Sequence, residues 1–438
     1  MKLLRLSVAA LIVAVSGPAF AGSLEDDVRK DYDAYLDDLF IHLHRNPELS
    51  LQETKTAARL TKELRAVGFT VHEGIGKTGI VALMKNGPGP MVMMRADMDG
   101  LPVQEKSGLD YASKAQQKDP DGVSQPVMHA CGHDVHMTSL IGTARRMAAM
   151  RDRWSGTLML IGQPAEERFG GARLMRQDKV YERFGKPDFG LAFHVNAQLE
   201  AGKLFVPREA AYAGVDSVDI IVHGVGAHGA APHAGKDPIV IGAQIINALQ
   251  TLVSRTLSPR IPGVITVGSF HGGTKHNIIP DRAKLQVTVR SDDEQTRKTL
   301  LNGIRRIALN TGRAMGMPES KLPEVKIIPS ETYPPTRNTP ALVDRLRAAW
   351  RKQLGDQIFA NYKSLNMGAE DFPFLVTDLK TRRPIIPSVY FSVGGTPKSE
   401  LSTAASHHSP LFKISPRPAV ITGTSATVTA LLDLMPKK

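Results

Sequence analysis

The chain has one cysteine, Cys131, in 438 residues. An internal disulfide is therefore excluded. The thiol is a ligand, a reactive group, an intermolecular bridge or a buried bystander. Only two tryptophans are present, and aromatic residues make up 5% of the chain. With no RNA-binding aromatic motif, the platforms on which single-stranded nucleic acid stacks are missing. The formal net charge is +12, but the basic residues are scattered. That spread suits anionic small substrates or an envelope surface better than a nucleic-acid groove. Beyond Ala21 no apolar run is long enough to span a bilayer. Repeats, low-complexity tracts and a disordered tail are also lacking, which points to folded domains throughout.

What is present begins with an export signal. Met1-Lys2-Leu3-Leu4-Arg5 is a short basic start, Leu6 to Val15 an apolar core, and Ala19-Phe20-Ala21 a small-x-small cleavage pattern. Residues 1–21 are expected to be a cleavable signal peptide, and the mature chain to begin near Gly22. This implies an exported protein, most simply bacterial and periplasmic. Loss of Lys2 and Arg5 lowers the net charge by two, from +12 to +10. The remaining length exceeds one ordinary core, so two domains are expected.

Strands and helices alternate over residues 22–212. Glu53 to Val67 has helical periodicity. Met91-Val92-Met93-Met94 reads as a buried strand, Thr157 to Ile161 as another, and Phe189 to Phe193 as a third ending at His194. Lys114 to Ser124 reads as a polar loop. The alternation predicts an α/β fold whose mixed, mostly parallel sheet is flanked by helices and resumes over residues 332–438. Residues 213–331 change character. Half-wet strands and a helix opened by Asp237-Pro238 predict an inserted α+β domain with a four-stranded, ferredoxin-like sheet. In α/β sheets, sites form beyond the carboxyl ends of strands. Asp97, Glu166, Glu167 and His194 are all expected at such ends.

The densest chemistry is Met128-His129-Ala130-Cys131-Gly132-His133-Asp134-Val135-His136-Met137. Thiolate, imidazole and carboxylate are the ligand types of a transition-metal site. A turn with a buried thiol and surface histidines is the plainer alternative. Glu166-Glu167 is an adjacent acidic pair after a strand. Neighbouring side chains need not point the same way, so one can bind a metal while the other moves a proton.

Read in order, the motifs form a series. It runs through His44-Arg45-Asn46-Pro47-Glu48-Leu49, Arg95-Ala96-Asp97-Met98-Asp99-Gly100-Leu101-Pro102, His129-Ala130-Cys131-Gly132-His133-Asp134 and Pro164-Ala165-Glu166-Glu167. It continues with Ala227-His228 to Pro232-His233, Asn277-Ile278-Ile279-Pro280-Asp281, Met367 to Phe372 and His408-Ser409-Pro410. The series resembles the dinuclear metallo-amidohydrolases that include bacterial hippurate hydrolases, N-acyl-amino-acid amidohydrolases and plant auxin-conjugate hydrolases. These are a branch of the carboxypeptidase and aminoacylase metallopeptidase family. The resemblance covers essentially the whole mature chain.

The resemblance implies that Cys131, His133, Glu167, His194 and His408 hold two divalent ions of zinc, manganese, cobalt or nickel. Cys131 takes the place of a bridging aspartate used by the wider family. Arg95 stands where relatives outside the branch have a metal-binding histidine, and His133 takes over that duty. Glu166 resembles the catalytic base and Asp97 the carboxylate behind the metals. His228 and Asn277, from the insert, resemble residues that reach the substrate, in the same chain or across a homodimer. Asn277 can also be read as a turn residue. Gly368 is expected to line the cleft.

Spacing alone cannot choose between His407 and His408. The family pattern places the ligand directly before Ser409-Pro410, which selects His408. His129 and His136 are expected behind the ligands or facing solvent, His233 in a structural loop, and His271 and His276 on the surface. Arg290 is either a partner for a substrate carboxylate or a surface cation. The implied activity is a metal-dependent cleavage of N-acyl amino acids, hippurate-like, or of small peptide-like amides. A periplasmic carboxypeptidase or dipeptidase on the same scaffold is the nearest alternative. A non-catalytic envelope or solute-binding protein is the alternative of another class. Neither a nucleic-acid partner nor a mature membrane span is expected.

Overall fold

A computed structural model describes residues 23–168, 170–364 and 367–437. The predicted signal peptide, and Asn366 of the predicted loop before Phe372, lie outside these residues. Among the described residues no helix is long and apolar enough to cross a membrane.

Alternation builds the larger sheet. Val92, Met94 and Ala96 point to one face, and Met93, Arg95 and Asp97 to the other, all of them buried. The strand order is Thr70–Ile75, Gly79–Asn86, Gly156–Gln163, Met91–Asp97, Phe189–Glu200, Ser388–Thr396, Leu204–Phe205. The four central strands are parallel, and the outer pairings are antiparallel. Strands buried on both faces read as unbroken apolar runs, which is why Met91 to Met94 shows no alternation in the sequence. One face is covered by the helices Thr54–Ala66, His133–Ala149, Pro340–Leu354 and Pro416–Leu434. The other carries the short helices Gly171–Gln177, Val180–Phe184 and Pro373–Val376.

The insert has its own antiparallel sheet, in the order Gly263–Gly272, Arg282–Ser291, Gly214–His223, Glu324–Tyr333. Two helices, Pro238–Thr251 and Glu294–Ala314, share its aliphatic core. Asp237 caps the first by accepting from Ile239 N, and Asp293 caps the second by accepting from Thr296 N. Chain order and strand order together give the expected ferredoxin-like unit. The connections to and from it run side by side, Thr336 pairing with Tyr212 as a narrow antiparallel ribbon.

Two expectations are corrected. The stretch from Lys114 to Ser124 is not a bare loop. Gln116–Lys118 pairs with Ser124–Pro126, and Asp119 closes the turn by accepting from Asp121 N and Val123 N. Nor does the strand of His194 end there; it runs from Phe189 to Glu200. Val195, Ala197 and Leu199 stay buried, so the alternation persists although polar residues interrupt the apolar run. The neighbouring strand stops beside it, Arg95 pairing with Ala192. His194 therefore still stands at the level where Met91–Asp97 and Gly156–Gln163 end, while Ser388–Thr396 runs on beside it.

Candidate metal centre

The site starts at a glycine. Gly132 has φ +82, and a Cβ there would lie 2.3 Å from Val195 Cγ1. No other residue fits that left-handed turn under the sheet. The turn directs Cys131 and His133 into one space, His133 opening the long helix. His133 Nδ1 donates to the carbonyl oxygen of Asp99 at 2.8 Å. Its Nε2 is buried without a partner. His194 Nδ1 donates to its neighbour Val195 O at 2.6 Å, leaving Nε2 facing Cys131 Sγ at 3.3 Å. In both rings the proton is fixed on Nδ1 and the lone pair of Nε2 is presented to the site.

The acidic pair follows strand Gly156–Gln163. Glu166 N and Glu167 N donate to the two carboxylate oxygens of Asp99, each at 3.0 Å. Glu167 Oε1 is buried without a partner and lies 3.8 Å from His133 Nε2. Glu167 Oε2 lies 3.3 Å from His408 Nε2. His408, with φ +67, is held by its own N–H donating to Ala130 O. Donor atoms of Cys131, His133 and His194 lie within 4.8 Å of one another, and so do those of Cys131, Glu167 and His408. One sulfur belongs to both groups. Two orphaned buried donors and a sulfur shared between two triplets fit a pair of transition-metal ions.

The neighbouring histidines separate by their hydrogen bonds. Ala197 N–H donates to His407 Nε2 at 3.3 Å, which puts the ring proton on Nδ1, 3.6 Å from Cys131 Sγ. His407 is a donor to the sulfur, whereas His408 faces Glu167. Of the three further triplets, His133–Glu166–Glu167 overlaps this set, while in Asp97–His133–His136 and Glu166–Glu370–Asp371 the side chains of Asp97, His136, Glu370 and Asp371 are already tied. Asp97 accepts from Arg95 Nη1 at 2.7 Å and from His136 Nδ1 at 2.5 Å, while His136 Nε2 accepts from Val195 N–H. Arg95, fully buried, also binds Glu370 and Asp371 and donates to Gln163 through Nε. A fixed guanidinium thus stands where the wider family is expected to carry a metal-binding histidine. Asp97 lies behind the cleft and does not line it.

The expectation that His129 or His136 faces solvent is corrected, since both rings are buried. Neither ring nitrogen of His129 has a hydrogen-bond partner among the described residues, and burial pulls its pKa down to about 4. Burial, followed by Glu370 and Glu167, pushes the Glu166 carboxyl well up. Burial, followed by Glu167 and Glu166, does the same to the Cys131 thiol. Glu167 rises to about 7 through burial, with His133 opposing. A divalent cation among these groups favours their charged forms.

A cleft of about 590 Å³ opens over the donors. Cys131, Glu166, Glu167, His194, His407 and His408 form one wall, and Val264, Thr266, Thr288 and Arg290 of the inserted sheet form the other. Gly368, Phe205 and Tyr362 also line it. Arg290 is half-buried, and burial alone depresses its pKa, with no carboxylate contributing. His228 and Asn277 are not brought to this cleft within one chain. They sit together, His228 pairing with Ile278 and Gly229 N donating to Asn277 O, and both are exposed. The reason is topological. Arg290 is near the cleft end of strand Arg282–Ser291, whereas Asp281, bonded by Gly224 N, lies just beyond the opposite end. Asp99, Glu370 and the separate duty of His407 were not singled out from the sequence. Only the two-residue spacing of Asp97 and Asp99 at a strand end hinted at the first.

The profile of peptidase family M20/M25/M40 matches residues 93–431. Hippurate hydrolase of Campylobacter jejuni is 37% identical over 334 residues, 76% of this chain and 82% of that protein. Thermostable carboxypeptidase 2 of Saccharolobus solfataricus is 36% identical over 375 residues, 85% of this chain and 88% of that one. Among solved structures, the YxeP protein of Bacillus subtilis, described as a dinuclear metal-binding peptidase, superposes with a TM-score of 0.75 at 27% identity, covering 93% of this chain and 99% of its own. With its donor geometry and these relatives together, the chain belongs to peptidase family M20/M25/M40 and is a metallo-hydrolase of the amidohydrolase and peptidase kind.

Proposed function

We propose that the protein is an exported amidohydrolase that prefers N-acyl amino acids of the hippurate type. The observation that carries this reading is the shared-sulfur donor set facing Arg290, which has no ion-pair partner among the described residues, across one cleft. A free α-carboxylate meets Arg290 through charge-assisted hydrogen bonds. Phe205 and Tyr362, edge to face at 5.0 Å, offer an aromatic wall for the acyl group. Two divalent ions held by Cys131, His133, Glu167, His194 and His408 would supply carbonyl polarisation and an acidified water. Glu166 accepts a proton from the attacking water and delivers it to the leaving nitrogen. Its raised proton affinity suits that exchange. His407 donates to the Cys131 sulfur, and Asp97 holds His136 and Arg95 in place behind it.

A carboxypeptidase is the second reading. The carboxypeptidase relative matches a longer share of the chain, and Arg290 suits a peptide C-terminus equally. Metal-loaded enzyme assayed on hippurate and an N-acyl amino-acid library, beside a dipeptide library, separates the two. Higher kcat/KM on the dipeptides would overturn the first reading.

His228 and Asn277 are assigned to the cleft of a second copy. Exposed Ile239, Val240 and Ile278 accompany them and suit burial between copies. Mixing inactive Glu166→Gln with inactive His228→Ala should restore part of the activity; mixtures that stay inactive would show that His228 does not act in the cleft of a second copy. Export rests on the sequence pattern at residues 1–21. Mass spectrometry of the envelope fraction should find a chain beginning near Gly22, and a cytosolic chain that retains Met1 would refute it.

A further inference from the structure

Glu166 and Glu167 sit in a turn, outside any helix or strand. The segment leaves the strand Gly156–Gln163, turns at Ala165 with φ +47 and reaches the helix Gly171–Gln177. A non-glycine residue in that conformation needs outside support. Three successive main-chain N–H groups, those of Ala165, Glu166 and Glu167, turn toward carboxylates. Such a run of N–H groups makes a concave anion site. Here the acceptors are the chain's own carboxyl groups. Glu53 Oε1 accepts from Ala165 N at 2.8 Å. Asp99 Oδ1 accepts from Glu166 N and Oδ2 from Glu167 N, both at 3.0 Å. The two acids are 0% and 1% exposed. Each is held from behind: Thr78 donates its hydroxyl to Glu53, and Ser50 donates its hydroxyl to Asp99 Oδ2 at 2.6 Å. The main-chain oxygen of Asp99 meanwhile accepts from His133 Nδ1.

We propose that Glu53 and Asp99 are positioning residues that set the divergence of Glu166 and Glu167, with Asp99 also fixing the His133 ring. One buried aspartate would then align the proton carrier and two of the metal donors as a unit, without touching substrate. The proposal rests on the assignment of Glu166 as proton carrier and of Glu167 and His133 as donors. Its physical basis is the count of acceptors. Glu166 N–H and Glu167 N–H each need one, and only a carboxylate supplies two oxygens side by side at these distances. An asparagine offers one oxygen and turns an amide N–H₂ against the other donor.

The test uses the full-length enzyme loaded with cobalt(II), whose visible spectrum reports the donors around the ion apart from turnover. Asp99→Asn is expected to lower kcat about 100-fold with little change in KM, to weaken one cobalt equivalent about 10-fold or more, and to alter the spectrum. If that variant does not accumulate, Ser50→Ala removes only the hydroxyl behind Asp99 and should show the same changes in smaller degree. A residue that merely stabilises the turn would shift the melting temperature and leave the spectrum of the folded protein as in wild type. That result, or kcat within about threefold of wild type in folded Asp99→Asn, overturns the proposal. Glu166→Gln keeps the two reading levels apart. If it turns over normally, the proton carrier is misassigned, and the cobalt spectrum of Asp99→Asn still decides whether Asp99 positions the donors.

Discussion

The two halves of the molecule bury different things. The insert is built on Val, Ile, Leu, Ala and Met, and among its described residues Asp216 is the one buried ionisable side chain. It is matched by Arg297 through two hydrogen bonds of 2.7 Å. The larger unit buries Glu53, Arg95, Asp97, Asp99, His133, Asp134, Glu166, His194, Glu370 and Asp371 within a few strand ends. Buried charge is costly unless paired or coordinated. A fold tolerates such a concentration where the charges do something, and the insert shows that the same chain builds an ordinary core elsewhere. The contrast concentrates the candidate chemistry in one half of the molecule.

The strongest challenge to that contrast is the sulfur. Cys131→Ala removes a donor common to both triplets, so elemental analysis should show both metal equivalents falling and turnover lost with them. Full metal occupancy would detach the cysteine from the centre. Next in size, Glu166→Ala should reduce kcat by about 10³-fold while metal content and melting temperature stay close to wild type. Near-normal turnover would break its role. In the insert, Leu300→Ala opens the aliphatic core and should cost about 2–5 kcal/mol in denaturant unfolding of that unit, with kcat per folded molecule little changed. A parallel collapse of kcat would mean that the two halves do not divide their labour.

The smallest effect is a pH dependence. His44 sits between Asp134 at 2.6 Å and Glu105 at 3.1 Å. Burial pulls its pKa down, but the two carboxylates prevail and raise it from 6.5 to about 9. A raised pKa means that the charged ring stabilises the fold fully below about pH 6.5, and that this contribution fades as pH rises through about 9. Relative to His44→Gln, wild type should therefore lose on the order of 3 kcal/mol of its advantage across that window. A constant difference between the two proteins from pH 6 to 10 would show that His44 is not charged in the fold.

Local features were legible in the sequence because they are local. The Asp237-Pro238 helix start and the unbroken apolar run before Arg95 each carry their own reason in adjacent residues. The ferredoxin-like order was legible from alternation and chain order together. Features that depend on distant partners were not. Whether His194 ends a strand is decided by how long Val195, Ala197 and Leu199 stay paired. Whether His407 donates or ligates is decided by Ala197 N–H, far away in the chain. Asp99 looked like one more acid in a polar loop, since the amides it accepts from lie beyond position 160. His228 and Asn277 were recognisable as a motif, but no pattern in the sequence states to which end of the inserted sheet a loop belongs.

The proposed donors are spread over most of the chain. They begin at Cys131 and end at His408, and His408 is tied back to Ala130 by a backbone hydrogen bond. Gly132 packs under Val195, so the first donors take their places only when a later strand has docked. A chain still emerging from a ribosome or a translocation channel can hold no complete pair of ions. A donor set that closes only through the C-terminal segment couples metal binding to completion of the fold.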